Sequence, residues 1–418
     1  MTFRTCAAAL LVAGLFPATA GAATVSVVEE TVSPFPPQER ATLLFEAAAG
    51  EDNIASIVPA GEESGEMRYE VTDLHEPLAA GPGCSGGGGP GVSATCVVPR
   101  SRPASGCGHL GCSDMGRLIV FRFLLGDGDD QLRATGIPAD DGGGGSLSIE
   151  AEGGTGDDQL YPGPTSDRID PGPGSDSVRS NQGNDFVDAG DSPDGADRFD
   201  LREGFDTISY ADAAQPVSIS IDSRANDGAA GEGDEIEGAE ELIGTPGPDR
   251  IVGGDGTVLG SDGFAEGLMG NGGGDVLVGN GGPDLLYTAP LVLLREYSVG
   301  GSGARDVLRG GAGDDELQAF AGNDTAAGGG GDDVLYGMDG ADLARGGKGR
   351  DIVDGGEDAD RLGGGSGRDR LDAGVGVGDA QDGATDRLDC GPSRHDHAFD
   401  VERRDRVDRC ERVRSGTY

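Results

Sequence analysis

The sequence contains few large apolar residues for its length. Leucine, isoleucine, valine and phenylalanine make up about one fifth of the 418 residues. At this fraction a highly charged chain lies at the border of intrinsic disorder, because little apolar surface is available to bury. The composition therefore argues against an ordinary large enzyme core. Outside the first 22 residues, no stretch approaches the 18 apolar residues that a membrane span needs, since Arg122 already interrupts the run 118–125.

Basic residues are also scarce. The chain carries 75 acidic and 31 basic residues, a formal charge of −44, and Lys348 is its single lysine. A surface this acidic repels phosphate backbones and anionic membranes, and no basic stripe in the sequence compensates for it. We therefore expect no nucleic-acid partner, and the composition predicts a cation as the natural partner.

Glycine is abundant, with 80 residues, and it lacks the three-residue period with proline that marks collagen. What repeats instead is aspartate, at an unbroken spacing of nine over eight positions: Asp306, Asp315, Asp324, Asp333, Asp342, Asp351, Asp360 and Asp369. Complete units such as GGAGDDELQ (310–318) and GGGGDDVLY (328–336) surround them. A second run and a short pair keep the same spacing, at Asp158, Asp167, Asp176 and Asp185, and at Asp275 and Asp284. A period this regular identifies a repeat architecture.

Each nonapeptide predicts a turn followed by a short strand. Its glycine-rich half can turn sharply, because glycine enters backbone conformations that other residues avoid. The last three residues form a strand whose central residue is apolar: Leu317, Leu335, Val353, Leu362 and Leu371. Two nonapeptides make an 18-residue coil, and coils stack as parallel strands about 4.8 Å apart. The sequence thus predicts an all-β roll with Asp315, Asp333 and Asp351 along one edge, ending near Asp369, and with Asp306, Asp324, Asp342 and Asp360 along the other.

These rows of aspartate predict the cofactor. Bare carboxylates about 5 Å apart repel by roughly 0.8 kcal/mol at the dielectric constant of water and by about 3 kcal/mol at an effective constant of 20. A divalent cation between the coils would remove this repulsion. Carboxylate and peptide oxygens, without histidine or cysteine, suit Ca²⁺ better than Mg²⁺, which demands stricter octahedral order and retains its waters.

The units are similar to G-G-x-G-x-D-x-U-x, where U is a large apolar residue, the haemolysin-type (RTX) calcium-binding repeat of secreted bacterial proteins. The resemblance covers roughly residues 120–390 and implies a parallel β-roll, a right-handed solenoid with several bound Ca²⁺ ions and a small β cap at each end. It marks the fourteen in-phase aspartates as metal ligands: Asp158, Asp167, Asp176, Asp185, Asp275, Asp284, Asp306, Asp315, Asp324, Asp333, Asp342, Asp351, Asp360 and Asp369.

The chain divides into seven segments by composition. Residues 1–22 read as a secretory signal, with Arg4, an apolar stretch and small residues at positions 20–22. The others are a small β unit (23–125), a first repeat block (126–209), an interrupting β segment (210–248), degenerate repeats with insertions (249–299), the main repeat block (300–372) and a C-terminal cap (373–418).

Six cysteines remain after the signal, an even number that favours disulfides in an oxidising compartment. Cys390 and Cys410 are predicted to clamp the C-terminal cap. Cys84, Cys96, Cys107 and Cys112 allow three pairings, among which the sequence does not choose. Their spacing lacks the C-x-x-C pairs of zinc sites.

The sequence predicts a secreted, non-catalytic protein that folds on binding extracellular Ca²⁺ and is structural or surface-associated. One alternative is an adhesin or matrix component that binds glycan or protein through residues 23–125 or through the inserts 258–269 and 288–299. Another is a hydrolase built on Ser85 in GCSGG (83–87), although a nucleophile elbow needs a flanking strand and helix. The arginine-containing tail, which includes Arg406 and Arg409, could contact an anionic polysaccharide. The oligomeric state stays open.

Overall fold

The computed structural model describes residues 22–34, 37–47, 50, 52–63, 66–99, 118–134, 136–138, 147–190, 195–254, 266–288, 303–373, 386–392, 396–399, 401 and 405–414. Within these ranges every regular element is a β-strand, and none is a helix. No helix of these residues is therefore long and apolar enough to cross a membrane.

The N-terminal unit consists of hairpins that lead into the roll. Its strands are β1 (Ala23–Pro34), β2 (Pro37–Glu46), β3 (Ile54–Glu63), β4 (Glu66–Asp73), β5 (Leu78–Ala80), β6 (Cys84–Gly88), β7 (Ala94–Pro99) and β8 (Leu118–Asp127). β1 pairs antiparallel with β2, and β3 pairs antiparallel with β4. β2 also pairs in parallel with β8, so the unit continues directly into the parallel strands that follow.

One face of the roll is a long sheet that runs through the whole described chain. After β2 and β8 it continues through β10 (Leu147–Thr155), β12 (Arg168–Asp170), β14 (Phe186–Asp188), β16 (Thr207–Ser209), β19 (Glu241–Ile243), β21 (Glu266–Met269), β23 (Asp284–Tyr287), β25 (Glu316–Gln318), β27 (Val334–Asp339), β29 (Ile352–Glu357), β31 (Arg370–Asp372), β33 (His397–Phe399) and β35 (Arg412–Val413). Each of these strands pairs in parallel with the next.

The opposite face consists of two separate ladders. The upstream sheet runs from β3 through β9 (Gln131–Arg133), β11 (Gln159–Tyr161), β13 (Ser177–Arg179) and β15 (Arg198–Asp200) to β18 (Glu235–Glu237). The downstream sheet has nine strands, β17 (Ser218–Ser220), β20 (Arg250–Val252), β22 (Val276–Gly281), β24 (Val307–Ala312), β26 (Thr325–Gly330), β28 (Leu343–Gly349), β30 (Arg361–Gly367), β32 (Arg387–Asp389) and β34 (Arg406–Asp408).

The break between these two ladders falls in the predicted interruption. β17 begins the downstream sheet, yet it precedes β18, the last strand of the upstream sheet, along the chain. The chain thus enters the downstream face, returns to finish the upstream face, and then rejoins the long sheet at β19. We call this crossing, residues 210–248, the seam.

The core is a narrow stack of single apolar side chains between the two faces. In the main block, Leu317, Leu335, Val353 and Leu371 of the long sheet are aligned in consecutive coils and are at most 3% exposed, as is Leu362 of the downstream sheet. These are the residues that the nonapeptide pattern predicts to point inward. The parallel β-roll expected from the sequence is confirmed.

The structure also bears on the cysteines and the inserts. Cys84 is bonded to Cys96 and Cys390 to Cys410, while Cys107 and Cys112 lie outside the described residues. Most of both predicted inserts and nearly all of the predicted signal also lie outside them. Residues 266–269, predicted as part of an insert, instead form β21, because they carry the apolar residue that the long sheet needs at this level.

Candidate metal sites along the roll

Acidic residues form three continuous rows, in which each residue stands directly before a strand of the sheet or, like Glu266 and Asp284, at its first position. The long row comprises Asp167, Asp185, Asp206, Glu240, Glu266, Asp284, Asp315, Asp333, Asp351, Asp369 and Asp396. The upstream row comprises Asp130, Asp158, Asp176, Asp197 and Asp234, and the downstream row Asp249, Asp275, Asp306, Asp324, Asp342, Asp360, Asp386 and Asp405. Asp315 and Asp306 therefore belong to opposite edges, as the alternating coil predicts.

One oxygen of most row aspartates accepts a backbone hydrogen bond from the preceding coil; Asp284 is an exception, since both of its carboxylate oxygens are buried without a hydrogen-bond partner among the described residues. The backbone N–H of Asp315 donates to Asp333 Oδ1 (3.1 Å), and that of Asp333 donates to Asp351 Oδ1 (3.1 Å). The downstream row repeats this bond, for example from the Asp324 N–H to Asp342 Oδ1 at 2.8 Å. Every such bond joins neighbouring coils, so the rows are part of the stacking itself.

The second oxygen is buried without a hydrogen-bond partner among the described residues. This holds for Oδ2 of Asp130, Asp158, Asp167, Asp185, Asp206, Asp275, Asp284, Asp315, Asp324, Asp333, Asp342, Asp351, Asp369 and Asp396. Their side chains are 0–3% exposed, apart from Asp342 at 4%. Buried polar atoms are almost always satisfied, so a repeated unsatisfied oxygen indicates a ligand that the protein atoms do not supply.

Two consecutive glycines of the repeat lie against oxygen atoms and leave no room for a side chain. A Cβ on Gly328, the first residue of its repeat, would overlap Asp333 Oδ2. Gly329 has φ +120°, and a Cβ there would overlap the Gly311 carbonyl oxygen of the preceding coil. The repeat places glycine where carboxylate and peptide oxygens approach each other most closely, which brings hard oxygen donors together at the turns.

Burial disfavours the charged form of the row aspartates in the metal-free protein. Desolvation raises the pKa of Asp333 and Asp351 to about 7, and that of Asp275 and Asp284 to about 8. Hydrogen bonds from backbone N–H groups lower the pKa of Asp333, but by less than burial raises it. A cation would supply the charge compensation that these carboxylates lack.

Histidine and cysteine contribute no candidate metal cage within the ranges that the structure describes. Among the described residues, no three side chains of His, Cys, Asp or Glu converge closely enough to hold a metal by themselves. A cation at the rows would therefore need peptide carbonyl oxygens from the glycine turns beside the carboxylates. This mixed set of oxygen donors is what Ca²⁺ accepts, with six to eight ligands in flexible geometry.

The rows are longer than the spacing of nine predicts. Asp369, predicted near the end of its row, is followed by Asp396, whose Oδ1 accepts the Asp369 N–H at 3.1 Å. The spacing also misses Asp130, Asp197, Asp206, Asp249, Asp386 and Asp405, because longer turns precede or follow them. Most carry a signal that does not depend on spacing, an aspartate two residues before a large apolar residue, as in Asp206-Thr-Ile208.

The geometry around Ser85 does not form a nucleophile elbow. Ser85 lies within the exposed strand β6, paired with Thr95 of β7, and the described residues contain no helix to follow it. An elbow requires a sharp turn from a strand into a helix.

A roll of stacked coils with rows of buried carboxylates defines a class, the calcium-binding repeat proteins. Within that class, the family model of the RTX calcium-binding nonapeptide repeat matches residues 151–178, 161–194, 170–208, 236–257, 269–289, 300–335 and 336–371. The chain thus carries RTX calcium-binding nonapeptide repeats in several copies across residues 151–371. No curated protein matches the chain.

Proposed function

We propose that the chain is a secreted, non-catalytic protein whose repeat region folds on binding several extracellular Ca²⁺ ions. The fourteen in-phase aspartates supply ligands, joined by Asp130, Asp197, Asp206, Asp249, Asp386 and Asp396 of the same rows. The observation that carries this proposal is the buried, unsatisfied Oδ2 that recurs along the rows. A cation between two coils would bind the Oδ2 of one coil together with carbonyl oxygens of the adjoining turns.

Calcium supplies the free energy that a narrow core lacks. Extracellular calcium modules bind at about 10⁻⁴ to 10⁻³ M, so cytosolic calcium would leave the sites empty. With calcium at ten times the dissociation constant, each site adds about 1.4 kcal/mol, and six sites would add about 8 kcal/mol. That sum is comparable with the stability of a whole domain.

Export is supported by the cysteines and by the N-terminal sequence. Two disulfides, Cys84–Cys96 and Cys390–Cys410, fit an oxidising compartment. Residues 1–22 have the charged, apolar and small-residue order of a secretory signal. A structural or surface-associated role is supported by the large share of the described strands that belongs to the repetitive roll. A second candidate, an adhesive or matrix protein, is favoured by the exposed arginines on the outward surface of the downstream sheet.

Circular dichroism of the mature chain tests this proposal. We expect a strong β signal in millimolar CaCl₂, its loss in excess EGTA, and little recovery in an equal concentration of MgCl₂. The full β signal in EGTA would contradict calcium-dependent folding.

A further inference from the structure

The outward surface of the downstream sheet differs in charge from the molecule as a whole. From β20 to β30, every second residue of each strand faces outward and stands in register with its neighbours in the adjoining coils. The two columns formed in this way hold Arg250, Arg309, Arg345 and Arg361 among aliphatic, threonine and glycine residues. Neither column contains a carboxylate over these six strands, although the chain has 75 acidic residues.

These four arginines are exposed, and none has a carboxylate within ion-pair distance among the described residues. Several arginines elsewhere on the roll are paired, as in Arg179–Asp200 (2.8 Å) and Arg350–Asp332 (2.8 Å). In a chain with more than two acids for each base, a surface of uncompensated arginines indicates an anion from outside the chain.

The first column extends toward the C-terminus as an arginine ladder, beside which the second column holds Asp389 and Asp408. Arg361, Arg387 and Arg406 are aligned in β30, β32 and β34. Like charges on adjoining coils repel each other. An anion lying across the ladder would remove this repulsion, and arginine binds carboxylate and sulfate groups through two parallel hydrogen bonds.

We call the surface formed by these two columns the arginine face. We infer that it binds a linear acidic polysaccharide that lies along the roll axis. The proposal rests on the calcium-folded roll proposed above, because only stacked coils align these residues. A polymer fits a surface that repeats with every coil. The columns contain no aromatic side chain on which nucleic-acid bases could stack, and two copies of a chain with charge −44 repel each other.

The test uses the mature chain in millimolar CaCl₂ with fluorescein-labelled dextran sulfate as the probe and neutral dextran as its uncharged counterpart. The face variant combines Arg250→Gln, Arg309→Gln, Arg345→Gln and Arg361→Gln. The control variant combines Arg179→Gln, Arg202→Gln, Arg224→Gln and Arg350→Gln, which removes the same charge from arginines that already have carboxylate partners. We expect the face variant to bind dextran sulfate at least tenfold more weakly and the control variant to stay within about twofold of the native chain.

Equal weakening in the two variants would overturn the proposal, because net charge alone would then explain binding. Equal binding of single-stranded DNA and dextran sulfate by the native chain would also overturn it. The proposal would also be overturned by a face variant that keeps its affinity for dextran sulfate but no longer self-associates in light scattering. Circular dichroism of the same samples separates the two proposals. A β signal without polysaccharide binding refutes the arginine face alone, whereas no β signal in calcium refutes the folded roll as well.

Discussion

At the scale of single residues, a row aspartate such as Asp351 has two separable tasks. Its Oδ1 accepts a backbone N–H from the preceding coil, and its buried Oδ2 faces the glycine turn of its own repeat. An asparagine keeps an oxygen acceptor of the same shape but loses the negative charge. Substitution by asparagine should therefore distinguish coil stacking from cation binding.

Asp333→Asn tests this separation at an interior position. Asp333 lies between Asp315 and Asp351, so its carboxylate borders the turns above and below. We expect calorimetric titration to show two fewer Ca²⁺ ions bound at millimolar calcium, and a loss of about 3 kcal/mol of calcium-dependent stability. Asp314→Asn, the same change at an exposed residue of the preceding coil that accepts the Asp332 N–H, should leave the stoichiometry unchanged. Loss of one ion or none in Asp333→Asn would show that sites are not shared between coils.

At the scale of strands, the interior is one residue wide on each face, so stacking depends on single side chains. Leu335 of β27 is fully buried between Leu317 and Val353 of the adjoining coils. Ile352, in the neighbouring strand β29, points outward and is 41% exposed. These two residues provide a matched pair for testing whether the core and the calcium sites form together.

Leu335→Ala should destabilise the calcium-loaded roll by about 2–5 kcal/mol, because it leaves a cavity in a core that cannot collapse around it. It should also weaken calcium binding, although it removes no proposed ligand, since coils that stack poorly cannot bring their oxygens together. Ile352→Ala should change stability by less than about 1 kcal/mol. Urea unfolding in millimolar calcium measures both variants, and unchanged calcium affinity in Leu335→Ala would mean that the turns bind calcium independently of stacking.

The seam depends on a second kind of buried contact. The Tyr210 hydroxyl donates to Asp234 Oδ2 (2.8 Å) at the last position of the upstream row, and both residues are at most 2% exposed. Tyr210→Phe removes this donor and should cost about 1–3 kcal/mol. Tyr161→Phe, at an exposed hydroxyl, serves as the control. Equal unfolding free energies for the two variants would show that the seam does not need the hydrogen bond.

At the scale of the whole molecule, the buried carboxylates couple folding to pH. In the metal-free roll, burial raises the pKa of Asp333 and Asp351 to about 7 and that of Asp167, Asp275 and Asp284 to about 8. The same groups titrate near 3.9 in an unfolded chain. Between about pH 4 and pH 8 the folded state therefore holds more protons than the unfolded state, and metal-free stability falls as pH rises.

Circular dichroism in EGTA should show this dependence, with a weaker β signal at pH 8 than at about pH 5. In saturating calcium the trend should reverse over the same interval, because Ca²⁺ binds the deprotonated carboxylates and competes with protons. A metal-free chain whose β signal grows toward pH 8 would contradict protonated aspartates in the rows.

The sequence by itself determined the coil and its core. A spacing of nine fixes which residues turn and which face inward, because glycine and a large apolar residue have few other roles in so short a repeat. Leu335 and Val353 were therefore predictable as core residues, and Asp315 and Asp333 as neighbours in one row.

Only the tertiary structure shows which residues join the rows where longer turns break the nine-residue spacing. Asp206 and Asp396 join the long row although insertions shift them out of phase, because strand pairing, unlike sequence spacing, tolerates turns of different length. At the seam, β17 joins the downstream sheet before β18 completes the upstream sheet. No local sequence pattern predicts this order. The arginine face is also a product of stacking: Arg309 and Arg345 are 36 residues apart in the chain, yet parallel register places them two coils apart on one surface.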